Sequence, residues 1–143
     1  MKIAFCSSEV YPYAKTGGLA DVSSALPYAL SQKGMNVKIF MPFYKDIVPE
    51  IHISNEYAIT RINKNLEVVF VKNDPYFFRK GLYGTKRGDF RDNAKRYSFF
   101  CKSVFEILGQ QQFQPDIMHV NDWQAALVPV YLKTLYSSKF FAK

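Results

Sequence analysis

Apolar positions along this chain alternate between continuous runs, which predict strands, and helical spacing, which predicts helices. Residues 2–9 begin with a continuous apolar run, which is typical of a strand buried on both faces of a parallel sheet. Residues 18–33 have helical spacing and stop at Gly34, and a second apolar run at 36–41 is closed by Pro42. This order predicts one right-handed βαβ unit. The predicted apolar stripe of the helix consists of Leu19, Val22, Ala25, Leu26, Ala29 and Leu30.

The rest of the chain predicts a β-hairpin, a basic loop, a helix, a short strand and a last helix. In chain order these occupy 58–62 with 66–71, 79–96, about 91–109, 116–120 and about 122–136. The fold class that follows is α/β, with a mostly parallel sheet and an inserted β-hairpin. A doubly wound domain usually has more parallel strands than this pattern contains, so we expect the domain to be incomplete.

Charge narrows the class of partner. The 143 residues include 19 Lys and Arg against 12 Asp and Glu, a formal charge of +7 that favours an anionic ligand. No nucleic-acid-binding motif accompanies the charge, so we expect no nucleic-acid partner.

Cys6 and Cys101 are too few for a disulfide framework and predict reduced thiols in a cytoplasmic protein. The chain has neither a signal-peptide pattern nor an apolar run of membrane-spanning length, so we expect no membrane partner.

The first candidate site is the loop Lys15-Thr16-Gly17-Gly18, between the first strand and the first helix. Open α/β sheets bind ligands beyond the carboxyl ends of their strands, and a helix N-terminus favours a phosphate. The loop has neither the glycine spacing of the dinucleotide fingerprint nor the order of a Walker loop, because its lysine precedes the glycines. Phosphate binding and a plain glycine turn with an exposed lysine both remain open.

The second candidate site is the segment 119–124, His-Val-Asn-Asp-Trp-Gln, which follows a later strand and is expected at the same sheet edge. His119 is either a hydrogen-bond donor to a sugar or a satisfied core histidine. Asp122 is either a ligand or a helix N-cap. Trp123 is either a stacking platform for a sugar ring or part of the core.

Seven cations punctuate residues 79–96, which predict either a solvated, mobile loop or a flap over an anionic ligand. They are Arg79, Lys80, Lys86, Arg87, Arg91, Lys95 and Arg96. The two histidines, His52 and His119, and the two cysteines match no metal-ligand spacing, so we expect no metal site. No nucleophile arrangement of the Ser-His-Asp or Cys-His type can be argued.

Residues 2–22 resemble the opening of bacterial glycogen synthases and plant starch synthases. Those proteins begin with a strand, a Ser-Glu-x-x-Pro turn and a Lys-x-Gly-Gly-Leu-Gly/Ala-Asp-Val block. The resemblance continues in order at 25–27, Gly34, 41–44, 73–79, 82–84, 92–97 and 119–133, and so spans nearly the whole chain. It implies a GT-B glycosyltransferase, built from two Rossmann-like domains that face a cleft.

By this resemblance, residues 1–143 are the N-terminal, acceptor-side domain, and the C-terminal nucleotide-sugar domain is absent. The expected reaction transfers glucose from ADP-glucose to the non-reducing end of an α-1,4-glucan or maltooligosaccharide, with retention and without a metal or other cofactor. We expect the isolated chain to be inactive. The alternative is a non-catalytic carbohydrate-binding or interaction module derived from the same fold.

The resemblance also assigns residues. Lys15 would contact the donor phosphates, together with Gly17 and the backbone N–H of Gly18, and Asp21 would lie near the glucose and the acceptor. His119 would hydrogen-bond the transferred sugar, so that Asp21 and His119 are the catalytic candidates. Further substrate-binding candidates are Asn121, Asp122, Trp123 and Gln124. Many members of the family have histidine where this chain has Asn121.

Overall fold

A computed structural model describes residues 1–52, 54–137 and 141, which form one six-stranded sheet, a small two-stranded sheet and the helices around them. The large sheet contains β1 (Lys2–Cys6), β2 (Asn36–Pro42), β3 (Ile51–His52), β4 (Tyr57–Asn63), β5 (Leu66–Val71) and β8 (Ile117–Val120). The small sheet pairs β6 (Gly84–Thr85) with β7 (Gly88–Asp89). The helices are α1 (Leu19–Gln32), α2 (Asp74–Phe77), α3 (Asn93–Gln110), α4 (Asp122–Ala125) and α5 (Leu127–Thr134).

The order of the large sheet is β3-β4-β5-β2-β1-β8. Strands β5, β2, β1 and β8 are parallel, and β4 and β3 extend the sheet as antiparallel strands. The chain leaves β1 through α1 to reach β2, and later crosses through α3 to the other side of β1, where β8 lies. Because such crossovers are right-handed, α1 and α3 lie on opposite faces. The connections therefore diverge between β1 and β8, the switch point where open α/β sheets bind ligands.

The predicted stripe of α1 is partly wrong. Val22 is 53% exposed, and Ala25 and Ala29 are also exposed. The buried positions are instead Ala20, Ser23, Pro27 and Ser31, while Leu26 and Leu30 pack at the margin of the core. Small side chains let this helix lie close to the sheet. The buried hydroxyl of Ser23 is satisfied by donating to Ser7 Oγ at 2.8 Å.

Three predicted boundaries also change. Strand β1 ends at Cys6, so that residues 7–9 belong to the loop, and α3 begins at Asn93. The predicted helix over 122–136 is divided into α4 and α5. Pro129 explains the division, because it has no N–H to donate to the carbonyl of Ala125. Helix α2 and the strands β3, β6 and β7 were not predicted.

The basic segment is more ordered than a solvated loop. Arg79 makes a bidentate ion pair with Asp92, at 2.9 and 2.7 Å. Arg96 belongs to α3 and is fully buried. The remaining cations, Lys80, Lys86, Arg87, Arg91 and Lys95, are exposed as expected.

Within the described part of the chain, no helix is long and apolar enough to cross a membrane.

Candidate functional site

Both candidate segments lie at the carboxyl edge of the sheet, at the switch point between β1 and β8. The last residues of the two strands, Cys6 and Val120, are register partners. Asn121 ties the strand ends together, since its backbone N–H and its side-chain Nδ2 each donate to the carbonyl of Cys6 at 3.0 Å. The side chain of Asn121 is thus engaged by the backbone in this structure.

Lys15 lies beside Asp21, in the first turn of α1. Its Nζ is 2.6 Å from Oδ1 and 2.8 Å from Oδ2 of the carboxylate, and 5.8 Å from the centre of the Tyr11 ring. The side chains of Lys15 and Asp21 are 46% and 56% exposed. An exposed pair of this kind contributes at most about 1 kcal/mol, so an incoming anion can displace the carboxylate at little cost.

The glycines of the loop leave open space beside the backbone. A Cβ atom added at Gly17 or at Gly18 would meet nothing within 4 Å. Gly18 is the N-cap of α1, with φ −70° and ψ −16°, a conformation open to any residue. Local geometry therefore does not require glycine at Gly18. The first N–H groups of a helix have no intrahelical acceptor, and this bare backbone lets an anion reach them.

A buried carboxylate lies beneath this loop. Glu9 is 3% exposed and accepts from the hydroxyl of Thr16 at 2.6 Å, the hydroxyl of Tyr83 at 2.6 Å and the N–H of Gly17 at 3.3 Å. It also accepts from the N–H of Thr16. Burial alone raises the pKa of the Glu9 carboxyl, but these hydrogen bonds outweigh burial and hold the pKa below its ordinary value. Glu9 is therefore an anion at neutral pH.

Tyr83 joins the loop to the second segment. Its hydroxyl contacts Ser8 Oγ at 2.8 Å as well as Glu9. Burial, followed by the bond to the Glu9 carboxylate, raises the pKa of Tyr83 well above its ordinary value, so Tyr83 is a neutral donor. Its ring centre is 6.2 Å from that of Trp123, which also meets Tyr97 edge-on at 5.0 Å. Trp123 is half-exposed, so one part of its ring packs on these tyrosines while another faces solvent.

The remaining predicted residues differ in accessibility. His119 is half-buried in β8 and stacks on Phe5, with ring centres 4.5 Å apart and planes 19° apart. Asp122 is exposed at φ +61°, and the N-cap position of α4 belongs to Asn121. Gln124 is 3% exposed. Its buried Oε1 has no hydrogen-bond partner among the described residues, a state that costs about 1–3 kcal/mol.

Sequence reasoning did not assign Glu9 or Tyr83 to the site. Glu9 carried two signals, since it is a lone carboxylate in the loop after a buried strand and the glutamate of the Ser-Glu-x-x-Pro turn. Tyr83 lies in segment 82–84 of the family resemblance, but nothing in that segment indicates its contact with Glu9, 74 positions away along the chain.

Comparisons with known proteins bear directly on this arrangement. The family model named starch synthase catalytic domain matches residues 2–143. The chain belongs to that family. The glycogen synthase of Geotalea uraniireducens is 41% identical over 149 residues, which cover 93% of this chain and 31% of the relative. The catalytic domain of starch synthase IV from Arabidopsis thaliana, solved with ADP and acarbose, has a TM-score of 0.75 at 30% identity and covers 95% of this chain.

These similarities confirm the predicted family and the α/β fold with a mostly parallel sheet and an inserted hairpin. A sucrose-phosphate synthase from Thermosynechococcus elongatus shares the fold alone, with a TM-score of 0.66 at 14% identity over 94% of this chain. The chain spans about a third of the length of the glycogen synthase relatives it matches. It likewise covers 30% of the starch synthase IV chain.

Proposed function

We propose that this chain is the acceptor-side part of a glucosyltransferase that moves glucose from ADP-glucose to the non-reducing end of an α-1,4-glucan, with retention. One observation carries the proposal: Lys15 and the open N-terminus of α1 lie together at the β1/β8 switch point, in a chain of the starch synthase family. The similar starch synthase IV was solved with ADP bound. Proteins of this family that match the chain are named glycogen synthases.

The charge of the departing diphosphate explains the use of these groups. The bond between glucose C1 and the β-phosphate oxygen breaks, and the acceptor hydroxyl oxygen bonds to C1. The proton of that hydroxyl passes to the leaving phosphate, which guides the acceptor to the same face. Lys15, released from Asp21, and the first N–H groups of α1 stabilise the growing phosphate charge more in the transition state than in the ground state. No metal or other cofactor takes part in this proposal.

The other site residues contact the transferred glucose and the acceptor in this proposal. His119 hydrogen-bonds the transferred glucose, and Asp21 faces the glucose and the acceptor once Lys15 has moved to the phosphate. The exposed part of the Trp123 ring stacks on a sugar of the maltooligosaccharide acceptor. Asn121, Asp122 and Gln124 shape this wall, and the unpartnered Oε1 of Gln124 would accept from a sugar hydroxyl or water. We place the reaction in the cytoplasm.

The nucleotide-recognising part of the site lies, in this proposal, in the two-thirds of the relatives that have no counterpart here. Two Rossmann-like domains then face each other, with this chain supplying the phosphate and acceptor side. Adenine and ribose are recognised by the other domain.

This division predicts how the isolated chain responds to parts of the donor. Pyrophosphate and ADP are expected to bind with similar, weak affinity, and adenosine is expected not to bind, because the chain contacts phosphate and not base. Amide chemical shifts of residues 15–20 in isotope-labelled chain, followed during each titration, measure this. Lys15→Ala is expected to remove the response, whereas Lys33→Ala, at the other end of α1, is expected to preserve it.

A response to maltooligosaccharide combined with no response to ADP or pyrophosphate would contradict the proposal. It would favour a carbohydrate-binding module that keeps the fold without the transferase chemistry.

A further inference from the structure

We infer that Glu9 and Tyr83 are positioning residues, which hold the loop 15–18 in the conformation that receives the donor phosphates. The inference rests on the proposed function for the identity of the ligand. It concerns residues that do not themselves contact it. Glu9 lies in the loop that follows β1, Tyr83 lies in the basic segment 79–96, and their side chains meet beneath the loop 15–18.

Hydrogen bonds from the loop 15–18 converge on the Glu9 carboxylate. The Glu9 carboxylate accepts from both the N–H and the hydroxyl of Thr16 and from the N–H of Gly17. These donors flank Lys15 and Gly18 directly. The loop cannot rotate its peptide groups without breaking charge-assisted bonds, which are about twice as strong as neutral ones. The glycines add no restraint of their own, because the space beside them is open.

The negative charge of Glu9 by itself opposes phosphate binding. A carboxylate near a diphosphate weakens its binding unless the carboxylate also improves the geometry of the groups that bind the phosphates. Glu9 is 3% exposed, and its oxygens face loop and tyrosine donors. The N–H of Gly17 is therefore engaged by Glu9, whereas the N–H groups of the first turn of α1 have no intrahelical acceptor. Glu9 compensates for its charge by fixing the geometry of the loop. A displacement of about 1 Å in a reacting group can cost about 10²-fold in rate.

Tyr83 is itself held in place by backbone contacts. Its carbonyl accepts from the N–H of Phe90 at 2.9 Å and from Asn93 Nδ2 at 2.8 Å. It lies between Gly81 and Gly84, whose backbones approach so closely that a Cβ on Gly81 would be 2.2 Å from the carbonyl oxygen of Gly84. The Tyr83 hydroxyl is thus delivered by a tightly folded backbone. The folded state of residues 79–96 is thereby coupled to the loop 15–18.

Hydrogen exchange and ligand binding in the chain test this inference together. Tyr83→Phe removes the hydroxyl but keeps the ring on Trp123, and Glu9→Gln removes the charge at nearly constant volume. Tyr44→Phe is the matched control, because it removes a buried tyrosine hydroxyl that bonds only to the Tyr97 hydroxyl, at 3.2 Å, in the described residues. Loss of one charge-assisted bond predicts exchange of the Thr16 and Gly17 amides that is faster by about 10- to 100-fold in Tyr83→Phe.

Pyrophosphate affinity is expected to fall about tenfold or more in Tyr83→Phe and in Glu9→Gln, and to stay unchanged in Tyr44→Phe. Unchanged exchange at Thr16 and Gly17 in Tyr83→Phe would overturn the inference. Faster exchange with unchanged pyrophosphate affinity would also overturn it. In that case, loss of pyrophosphate binding in Lys15→Ala would still support the proposed function. If the unmodified chain does not respond to pyrophosphate, the proposed function fails, and the positioning role fails with it.

Discussion

Replacing Lys15 with alanine is expected to lower kcat/KM for ADP-glucose by about 10²- to 10³-fold, with little loss of stability. In the proposed mechanism the ammonium group meets phosphate charge that grows as the glucosyl bond breaks, so its loss is expected to affect the transition state more than the bound substrate. Its present partner, Asp21, forms an exposed pair whose loss costs at most about 1 kcal/mol of unfolding free energy. The assay is glucosyl transfer by a chimera that joins residues 1–143 to the unmatched part of the Geotalea uraniireducens glycogen synthase.

The control is Lys33→Ala, which removes an exposed lysine from the far end of α1 and is expected to leave kcat/KM unchanged. A Lys15→Ala chimera with a nearly unchanged rate would return the loop to the simpler interpretation, a glycine turn with a solvated lysine.

Replacing Arg96 with alanine is expected to destabilise the fold by about 4 kcal/mol, because three partly buried oxygens lose a charged donor and a cavity is left. Arg96 is fully buried and donates to the carbonyls of Tyr76 at 2.8 Å and Leu82 at 2.9 Å, and to Asn93 Oδ1 at 2.6 Å. Its guanidinium also lies over aromatic rings, with that of Phe90 4.9 Å away. Neutral oxygens and ring faces together stabilise this buried charge.

Urea unfolding of the chain measures the effect of Arg96→Ala. Arg91→Ala is the matched control, since Arg91 is an exposed cation of the same segment, and its loss is expected to change the unfolding free energy by about 0.5 kcal/mol or less. A loss below about 1 kcal/mol for Arg96→Ala would mean that the segment 76–97 is held by other contacts.

Local patterns were enough to predict the elements that place the site. Buried apolar runs predicted β1, β2 and β5, and the order of strands and helices placed both candidate segments at carboxyl ends of parallel strands. Adjacent carboxyl ends then follow from chain connectivity, which is why the loop 15–18 and the segment 119–124 were expected at one edge. The structure adds that this edge is the switch point between β1 and β8.

Other features depend on contacts that periodicity does not encode. The face of α1 was misjudged because close packing favours the small, satisfied Ser23 over the larger Val22. Arg96 was counted among the cations of a solvated loop or a flap because its acceptors are mostly backbone carbonyls, which leave no mark in the pattern of side chains. The contact between Glu9 and Tyr83 joins residues 74 positions apart, and no local rule relates them.

We would measure glucosyl transfer from ADP-glucose to maltooligosaccharide for the isolated chain and for the chimera side by side. This comparison tests whether the chain supplies only the phosphate and acceptor side of the site. We expect no turnover by residues 1–143 alone, and turnover by the chimera that is lost with Lys15→Ala. Transfer by the isolated chain would show that it holds a complete site. A folded chimera that binds maltooligosaccharide but transfers no glucose would contradict the assignment of this chain as the phosphate and acceptor side of a glucan synthase.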